Sequence, residues 1–416
     1  MDKSGKASNT FFLNYQPKPF SLITKPAGSL CNLNCTYCFY LEKHHLYSGR
    51  KITKMSDDIL EEYISQYIAS QPVPEVNFIW QGGEPCLMGI DFYKKAIALQ
   101  RKYAAGKQIE NSFQTNGILL NDDWCRFFHD NRFLVGISID GPKELHDKYR
   151  ITKTGGPSFD KVVKAIALLR KHRVEFNTLT VVNNHNVDFP LEIYRFLKSV
   201  GSHYMQFTPI VERVCSEKLN TGLQLVSNEQ RDDAVVTDWS VDALKYGKFL
   251  KAIFDEWVKK DVGQYFVQMF DATLANWVGA QPGVCIMAER CGNAGVIEHN
   301  GDVYSCDHFV FPGYHLGNIT KEGLKEMMNS VTQQLFGDTK VSALPGQCRE
   351  CRYLDKCWGE CPKNRFLTTP QGEYGLNYLC EGLKYFFSQV TPAMEFMANE
   401  INNKRSPANI MHDNYH

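Results

Sequence analysis

The sequence lacks a net charge and lacks any long apolar stretch. Lys+Arg and Asp+Glu each total 46 in 416 residues, so no excess of one sign marks a nucleic-acid or anionic-membrane binder. The start, MDKSGKASNTFFLNYQPKPF, holds no continuous apolar core, and no later segment reaches the roughly 18 apolar residues of a membrane span. We therefore expect a cytoplasmic protein with no nucleic-acid or membrane partner.

Cysteine, by contrast, is abundant. A chain with 14 cysteines in a reducing compartment does not need them as disulfides. Three cluster between Cys31 and Cys38 and eight more between Cys285 and Cys380, which predicts metal ligation. Three others stand apart and are expected to pack as small apolar side chains: Cys86, Cys125 and Cys215.

Short apolar runs alternate with helical patterns from residue 20 to about 208. The predicted strands, rich in β-branched and aromatic residues, are 20–24, 76–80, 111–115, 134–139, 176–182 and 204–208. Helical patterns separate them, and Ser56 and Asn121 are expected N-caps. Six strand-then-helix units predict a parallel sheet with right-handed crossovers, too few for a closed eight-stranded barrel. The predicted fold class is α/β, a partial (β/α)6 barrel with a small C-terminal cysteine-rich domain.

The same patterns divide the chain into five segments. In the fourth, Gly, Asn and Cys become frequent and periodicity fades, as expected of a small domain held by metal rather than by a core. The segments are an N-terminal extension (1–19), the partial barrel (20–212), a bridging segment (213–282), the cysteine-rich domain (283–385), and a C-terminal helix with a polar tail (386–416).

The stretch CNLNCTYC follows the first predicted strand, and GGEP follows the second. Both therefore lie at the carboxyl-end rim of the sheet, where α/β folds carry their chemistry. Three thiolates spaced CxxxCxxC can hold three irons of a 4Fe–4S cluster and leave the fourth open, as in a reactive site. Spacing alone leaves a zinc site open, completed by His44 or His45, and with it a non-catalytic zinc scaffold.

These paired motifs resemble those of the radical S-adenosylmethionine (SAM) enzymes, over about the first two hundred residues. The resemblance implies a cluster bound by Cys31, Cys35 and Cys38 whose open iron holds SAM. An injected electron then splits SAM to a radical that takes an unactivated hydrogen atom.

The resemblance also assigns cofactor contacts. Gly82 and Gly83 would let the backbone approach the methionyl amino group, and Glu84 would place negative charge beside it. The remaining implied contacts are Tyr37 with the adenine, Ser138 with the cofactor, Arg150 with its carboxylate, and the Val211 backbone with the adenine.

The C-terminal cysteines resemble the SPASM extension of peptide-modifying radical enzymes. A C-x9-G-x4-C pattern runs from Cys291 to Cys306, and C-x2-C-x5-C-x3-C follows from Cys348 to Cys361. With two further cysteines, eight thiols suffice for two fully ligated 4Fe–4S clusters that carry electrons, three clusters in all. The resemblance implies Cys285, Cys291, Cys306 and Cys361 for the first, and Cys348, Cys351, Cys357 and Cys380 for the second. Spacing alone leaves two zinc knuckles open.

Three local features resemble the anaerobic sulfatase-maturating enzymes: TYCFYLEK around Tyr40, Gln81 directly before GGEP, and Asp307 directly after Cys306. Those enzymes oxidise an active-site cysteine or serine of a sulfatase to Cα-formylglycine. The resemblance implies Asp307 as proton acceptor, with Tyr40 and Gln81 orienting it or the substrate. A hydrogen-bonding role for Asp307 in the cluster loop stays open.

The same resemblance implies the partners. The substrate would be an unfolded CxPxR or SxPxR segment of a sulfatase, whose arginine favours an acidic or aromatic entrance. An external electron donor or acceptor such as a ferredoxin or flavodoxin would complete the cycle. The residues do not separate a cysteine from a serine substrate, and a radical enzyme that crosslinks peptides through thioether or carbon–carbon bonds is the alternative.

Overall fold

The computed structural model describes residues 18–47, 54–219, 221–229 and 231–412. Its first half alternates strands and helices as predicted, and all six predicted strands are confirmed. The strands are β1 (Ser21–Lys25), β2 (Glu75–Trp80), β3 (Gln108–Thr115), β4 (Leu134–Ser138), β5 (Phe176–Val182) and β6 (Tyr204–Pro209). The helices are α1 (Asp57–Ser70), α2 (Ile90–Tyr103), α3 (Asp122–Asp130), α4 (Lys143–His146), α5 (Phe159–Lys171) and α6 (Pro190–Ser199).

Local sequence signals explain where two of these helices begin. Ser56 accepts a hydrogen bond from the Ile59 N–H at 3.3 Å before α1, and Asn121 accepts one from the Trp124 N–H at 3.0 Å before α3. Each cap satisfies a backbone donor that the first turn leaves without an intrahelical partner. Both predicted N-caps are confirmed.

β1 to β6 lie side by side in order and pair in parallel, as a partial barrel requires. Successive side chains of a strand point to opposite faces. On β3, Phe113 packs against aromatic side chains of α2 and α3, whereas Ser112 and Gln114 point the other way. We call this second side the inner face of the sheet. Its polar side chains suit it to line a binding site rather than a core.

The bridging segment contains more regular structure than the one helix that its sequence predicts. Three short strands form a small antiparallel sheet: β7 (Arg213–Cys215), β8 (Leu225–Val226) and β9 (Ala234–Val236). The helix α7 (Ala243–Lys260) follows. The strand β10 (Phe266–Val267) then pairs in parallel with β6, and it leads directly into the helix α8 (Gln268–Trp277). β10 therefore extends the main sheet at the β6 edge.

The cysteine-rich segment also joins the main sheet. β11 (Ala294–Glu298) pairs in parallel with β1, and β12 (Asp302–Tyr304) and β13 (His315–Asn318) continue the sheet antiparallel. The sequence gives no sign of these strands because strands of three to five residues are too short to show a period. The sheet thus has ten strands, in the order β10-β6-β5-β4-β3-β2-β1-β11-β12-β13.

The rest of the segment is helical apart from one hairpin, β14 (Arg365–Thr368) with β15 (Tyr374–Asn377). Its helices are α9 (Leu324–Met328), α10 (Val331–Ser342), α11 (Gly346–Arg349), α12 (Leu354–Cys357) and α13 (Cys380–Asn402). α13 begins at Cys380, earlier than the predicted boundary at 386, so the last cysteine opens the final helix. Within the described ranges, no helix combines the length and the apolarity needed to cross a membrane.

Candidate active site

The loop after β1 carries the first three clustered cysteines. Its backbone pairs with the segment after α4, because the Asn34 N–H donates to Ile151 O at 2.9 Å and the Thr36 N–H to Tyr149 O at 3.0 Å. Burial, with a smaller effect of neighbouring cysteine thiolates, raises the pKa of Cys31 to about 11 and that of Cys35 to about 12. A metal that binds the thiolates in place of these protons would lower the free-energy cost of holding the thiols close together.

The zinc alternative gains no support from His44. His44 lies on the 3-10 turn Leu41–Tyr47, where it is exposed and its Nδ1 contacts Leu41 O at 2.7 Å. Among the residues that the structure describes, no three His, Cys, Asp or Glu side chains lie close enough to hold one metal ion. A 4Fe–4S cluster needs thiols that are further apart, since each thiol binds a different iron. The arrangement therefore fits a cluster better than zinc.

The GGEP loop is fastened to the cysteine loop. The Gly83 N–H donates to Gly28 O at 2.8 Å, and the Glu84 N–H donates to Leu30 O at 2.7 Å. A Cβ at Gly83 would lie 2.0 Å from Leu30 O. The predicted reason for this glycine was the approach of the cofactor, whereas the contact observed is with the backbone of the cysteine loop. Gly82 adopts a φ of +134°, which also favours glycine.

Glu84 is completely buried, and its carboxylate holds the end of β3. It accepts hydrogen bonds from the Cys86 N–H at 3.0 Å, Thr115 Oγ1 at 2.8 Å and the Asn116 N–H at 2.9 Å. Burial raises the pKa of Glu84, although these donors oppose the rise. The described contacts thus tie the loop after β2 to the loop after β3. Charge compensation of a bound ammonium by Glu84 stays a prediction.

We expect Gly83→Ala to reduce the SAM cleavage that the resemblance implies on the order of 10²-fold, because the added Cβ must displace the cysteine loop and a misplacement of about 1 Å has that effect. The measurement is 5′-deoxyadenosine release under reducing conditions without peptide. Gly313→Ala is the matched control, since a Cβ there meets nothing within 4 Å. Equal rates in both variants would contradict the packing argument.

Four other predicted cofactor residues lie near the carboxyl ends of β4 and β6. Tyr37 donates its hydroxyl to Asp140 Oδ2, and Arg150 Nε lies 2.9 Å from the same oxygen. Ser138 Oγ accepts from Gln114 Nε2 at 3.1 Å on the inner face. Val211 is buried, and its carbonyl accepts from Lys363 Nζ at 2.8 Å.

Asp140 was not predicted, although it follows β4 at the rim where functional residues are expected. It is completely buried and joins Tyr37 to Arg150, and it also accepts from the Val181 N–H at 2.9 Å. The Arg150 guanidinium carbon lies 5.5 Å from the Tyr37 ring centre. The position of Asp140 directly after a predicted strand was the signal that could have identified it.

A buried polar cluster surrounds Asp307. Lys25 Nζ lies 2.7 Å from Asp307 Oδ1 and donates to Gln81 Oε1 at 3.0 Å. The same ammonium lies 4.2 Å from the centre of the Tyr40 ring, and the Tyr40 hydroxyl donates to the Glu298 carboxylate. The structure thus brings together all three residues expected around the substrate, with Lys25 at the centre.

Lys25 keeps Asp307 ionised. Burial alone would raise the pKa of the Asp307 carboxyl, but the Lys25 ammonium and other nearby positive charges bring it below its ordinary value. The described residues offer Asp307 Oδ2 no hydrogen-bond donor. The result is a buried carboxylate with one oxygen paired and one open.

Sequence reasoning missed Lys25 and Glu298. Lys25 is the last residue of β1, and a lysine ending a buried strand at the functional rim was a usable signal. Glu298 ends β11 and stands opposite Lys25 in the parallel pairing. No local pattern places β11 beside β1, so its role could not be found from the sequence.

The structure places the eight C-terminal cysteines in two groups, and the ligation of one cluster by each group stays a prediction. Four of them, Cys348, Cys351, Cys357 and Cys380, line one small cavity whose other walls include Leu354, Leu383 and Phe387. In the other set, burial raises the pKa of Cys306, and the neighbouring Cys285 and Cys291 thiols raise it further. Cys306 and Cys285 likewise raise the pKa of Cys361, after the larger effects of its burial and of Glu360.

Positive charge lies beside the set formed by Cys285, Cys291, Cys306 and Cys361. Lys340 is completely buried, and its Nζ donates to three carbonyls of the loop that carries Cys285. Arg365 is also buried, and its Nη1 donates to Lys340 O at 2.5 Å. An anionic thiolate-ligated cluster would be stabilised by these two cations. The three isolated cysteines, Cys86, Cys125 and Cys215, are buried, as expected for small apolar side chains.

Comparison with known proteins is consistent with this geometry. The family model of the radical SAM superfamily matches residues 26–197, and that of an iron–sulfur cluster-binding domain matches 285–352. The chain is 54% identical over 394 residues to the serine-type anaerobic sulfatase-maturating enzyme of Bacteroides thetaiotaomicron, covering 95% of each. It is 34% identical over 387 residues to the cysteine-type enzyme of Clostridium novyi, covering 92% of this chain and 98% of that enzyme.

A solved structure is similar over almost the whole chain. It is that of native anSMEcpe with bound AdoMet and Kp18Cys peptide, which aligns with a TM-score of 0.79 at 33% identity. The alignment covers 92% of this chain and 99% of the other.

Proposed function

Because this chain belongs to the anaerobic sulfatase-maturating enzymes of the radical SAM superfamily, we propose that it oxidises a serine of a sulfatase to Cα-formylglycine. The family acts on a cysteine or a serine, and the choice of serine is supported by the 54% identity to a serine-type enzyme against 34% to a cysteine-type one. The observation that carries the mechanism is the buried Lys25–Asp307 pair directly beside Cys306.

Three sets of cysteine thiols would hold three 4Fe–4S clusters. Cys31, Cys35 and Cys38 would leave one iron open for SAM, and each C-terminal set of four would ligate an auxiliary cluster fully. The cavity lined by four thiols and the cations around the other set support this assignment. When bound, SAM and its cluster would supply a radical that abstracts a hydrogen atom. The auxiliary clusters would supply an acceptor for one electron.

The residues of the chain supply proton transfer and orientation. Once the substrate Cβ has lost a hydrogen atom, its hydroxyl proton becomes much more acidic, so a carboxylate of lowered pKa suffices as base. Asp307 Oδ2 takes that proton while Lys25 holds Oδ1. The remaining electron would pass to an auxiliary cluster held by the C-terminal cysteines, which leaves an aldehyde. Gln81 Oε1 accepts a hydrogen bond from the Lys25 ammonium. The Tyr40 ring, whose hydroxyl donates to Glu298, contacts the same ammonium.

The partners are those that the family resemblance implies. The substrate would be an unfolded SxPxR segment of a sulfatase, which enters the site in an extended form. An external electron carrier such as a ferredoxin or flavodoxin reduces the SAM-binding cluster. The 14 free cysteines support a reducing, cytoplasmic location.

The test is incubation of the reconstituted enzyme with SAM, dithionite and matched Ser-X-Pro-X-Arg and Cys-X-Pro-X-Arg peptides. We expect aldehyde from the serine peptide, read by mass spectrometry and by trapping with a hydrazine. Oxidation of the cysteine peptide alone would overturn the choice of serine. Aldehyde from neither peptide, with SAM still cleaved, would overturn the proposed activity.

A further inference from the structure

A segment of three residues joins the two C-terminal sets of cysteines. We call Cys348, Cys351, Cys357 and Cys380 the cavity set, and Cys285, Cys291, Cys306 and Cys361 the loop set. Only residues 358–360, which we call the link, separate Cys357 from Cys361. All three link residues adopt left-handed backbone conformations, with φ of +48°, +66° and +52°. Only the middle one is glycine, so contacts from outside the link must hold this conformation.

Arg365 makes these contacts. Its Nε donates to Gly359 O at 2.9 Å, and its Nη2 donates to Trp358 O at 2.6 Å and to Glu360 O at 3.2 Å. Its Nη1 donates to Lys340 O at 2.5 Å. A Cβ at Gly359 would lie 2.7 Å from Arg365 Nη2, and Gly359 also lines the cavity of the cavity set. The guanidinium is therefore packed against the link and fixed in position.

The positive charge of Arg365 reaches thiols of both sets. Arg365 is 4% exposed, and among the described residues its guanidinium donates to carbonyl oxygens and to no carboxylate. Burial raises the pKa of Cys348, in the cavity set, and Arg365 opposes this rise. Burial also raises the pKa of Cys291, in the loop set, and Lys340 and Arg365 oppose it. A guanidinium keeps its proton, so this charge is permanent.

Glu360, on the link, acts on the same two sets with the opposite sign. Its carboxylate is buried and accepts hydrogen bonds from Asn364 Nδ2 at 3.1 Å and Asn377 Nδ2 at 2.8 Å. Burial, with a smaller effect of Glu360, raises the pKa of Cys357, in the cavity set, to about 12. Glu360 likewise adds to the effect of burial on the pKa of Cys361, in the loop set. One positive and one negative charge thus lie at the junction of the two sets.

A fixed charge beside an iron–sulfur cluster changes how easily the cluster accepts an electron. The reduced form carries one more negative charge, so a nearby cation stabilises it and a nearby carboxylate destabilises it. Both effects are larger where water is excluded, and Arg365 and Glu360 are both buried. Because each residue acts on both sets, a change at either one should affect both auxiliary clusters.

We propose that Arg365 and Glu360 set the reduction potentials of the two auxiliary clusters together, Arg365 raising both potentials and Glu360 lowering both. The inference rests on the proposed function, which assigns one 4Fe–4S cluster to each set. It adds the residues that determine how readily those clusters accept the electron from the substrate. Both are positioning residues that act through the clusters rather than on the substrate.

The experiment is a potentiometric titration of the reconstituted full chain without peptide, followed by electron paramagnetic resonance. We expect Arg365→Met to leave roughly tenfold less of each auxiliary cluster reduced at a given potential, which is a fall of about 59 mV for one electron. Arg365→Lys keeps the charge and should restore most of the wild-type potential. Glu360→Gln should shift both potentials upward. The SAM-binding cluster, identified by the change of its spectrum when SAM is added, should keep its potential in every variant.

Arg213→Met is the matched control for the loss of a buried guanidinium. Arg213 is buried on β7 and donates to the carbonyls of Ser227, Glu229 and Arg231, outside the cysteine-rich segment. This variant should lower the thermal stability of the chain without shifting either auxiliary potential. Damage to packing alone would not give shifts of opposite sign in Arg365→Met and Glu360→Gln.

Unchanged potentials in Arg365→Met would overturn the proposal, as would a downward shift in Glu360→Gln or an equal shift in Arg213→Met. If Arg365→Met fails to retain iron, the direction of the shift in Glu360→Gln decides. The titration needs no peptide, so the expected shifts without aldehyde from either peptide would support this inference and overturn the proposed activity. A wild-type chain holding only about four irons would instead overturn the assignment of the auxiliary clusters.

Discussion

Asp307→Asn is expected to cleave SAM at nearly the wild-type rate and to form aldehyde about 10²- to 10⁴-fold more slowly, the usual contribution of a general base. An amide cannot accept the hydroxyl proton at the position where Asp307 Oδ2 stands open. The two rates are measured in one assay, with 5′-deoxyadenosine read by chromatography and formylglycine by mass spectrometry. Separation of the two rates is the signature of a base that acts after hydrogen abstraction.

The control for Asp307→Asn is Asp302→Asn. Asp302 is also buried and lies nearby on β12, but it accepts hydrogen bonds from Asn300 Nδ2 at 2.6 Å and Asn318 Nδ2 at 2.8 Å. This variant should keep both activities. Wild-type aldehyde yield from Asp307→Asn would contradict the base assignment, and equal loss in both variants would indicate damage to the cluster loop instead.

Cys38→Ala is expected to abolish SAM cleavage completely, because two thiols cannot retain the cluster that leaves an iron open. The auxiliary clusters should survive, since their ligands lie in a separate part of the chain. Iron and acid-labile sulfide measured after anaerobic reconstitution should fall from about twelve to about eight per chain.

Cys125→Ala serves as the matched control for this variant. Cys125 is completely buried on α3 among aromatic side chains, and we expect its loss to leave the iron content unchanged. If Cys38→Ala retained cofactor cleavage, the assignment of the open cluster to the first three cysteines would be wrong. Loss of iron in Cys125→Ala would show that iron content reports folding rather than ligation.

The sequence allowed the partial barrel and the identity of the thiols to be predicted, because both are local signals. The cap at Asn121 and the CxxxCxxC spacing are each contained within ten residues. The ion pair of Lys25 with Asp307 is not local, since it depends on the pairing of β1 with β11. The role of Gln81 in orienting Asp307 or the substrate stays a prediction, and the structure places the Lys25 ammonium between Gln81 and Asp307.

The pairing of β1 with β11 also bears on how the protein is made. Ser21 emerges from the ribosome early, whereas its partner Ala294 is synthesised about 270 residues later. Until then the β1 edge has no neighbour on that side, and such an open edge can recruit a wrong strand. A nascent chain would thus carry the thiols for the SAM-binding cluster long before it acquires a base. Translation order itself would delay aldehyde formation, although not SAM cleavage, until the segment that carries Asp307 has folded against β1.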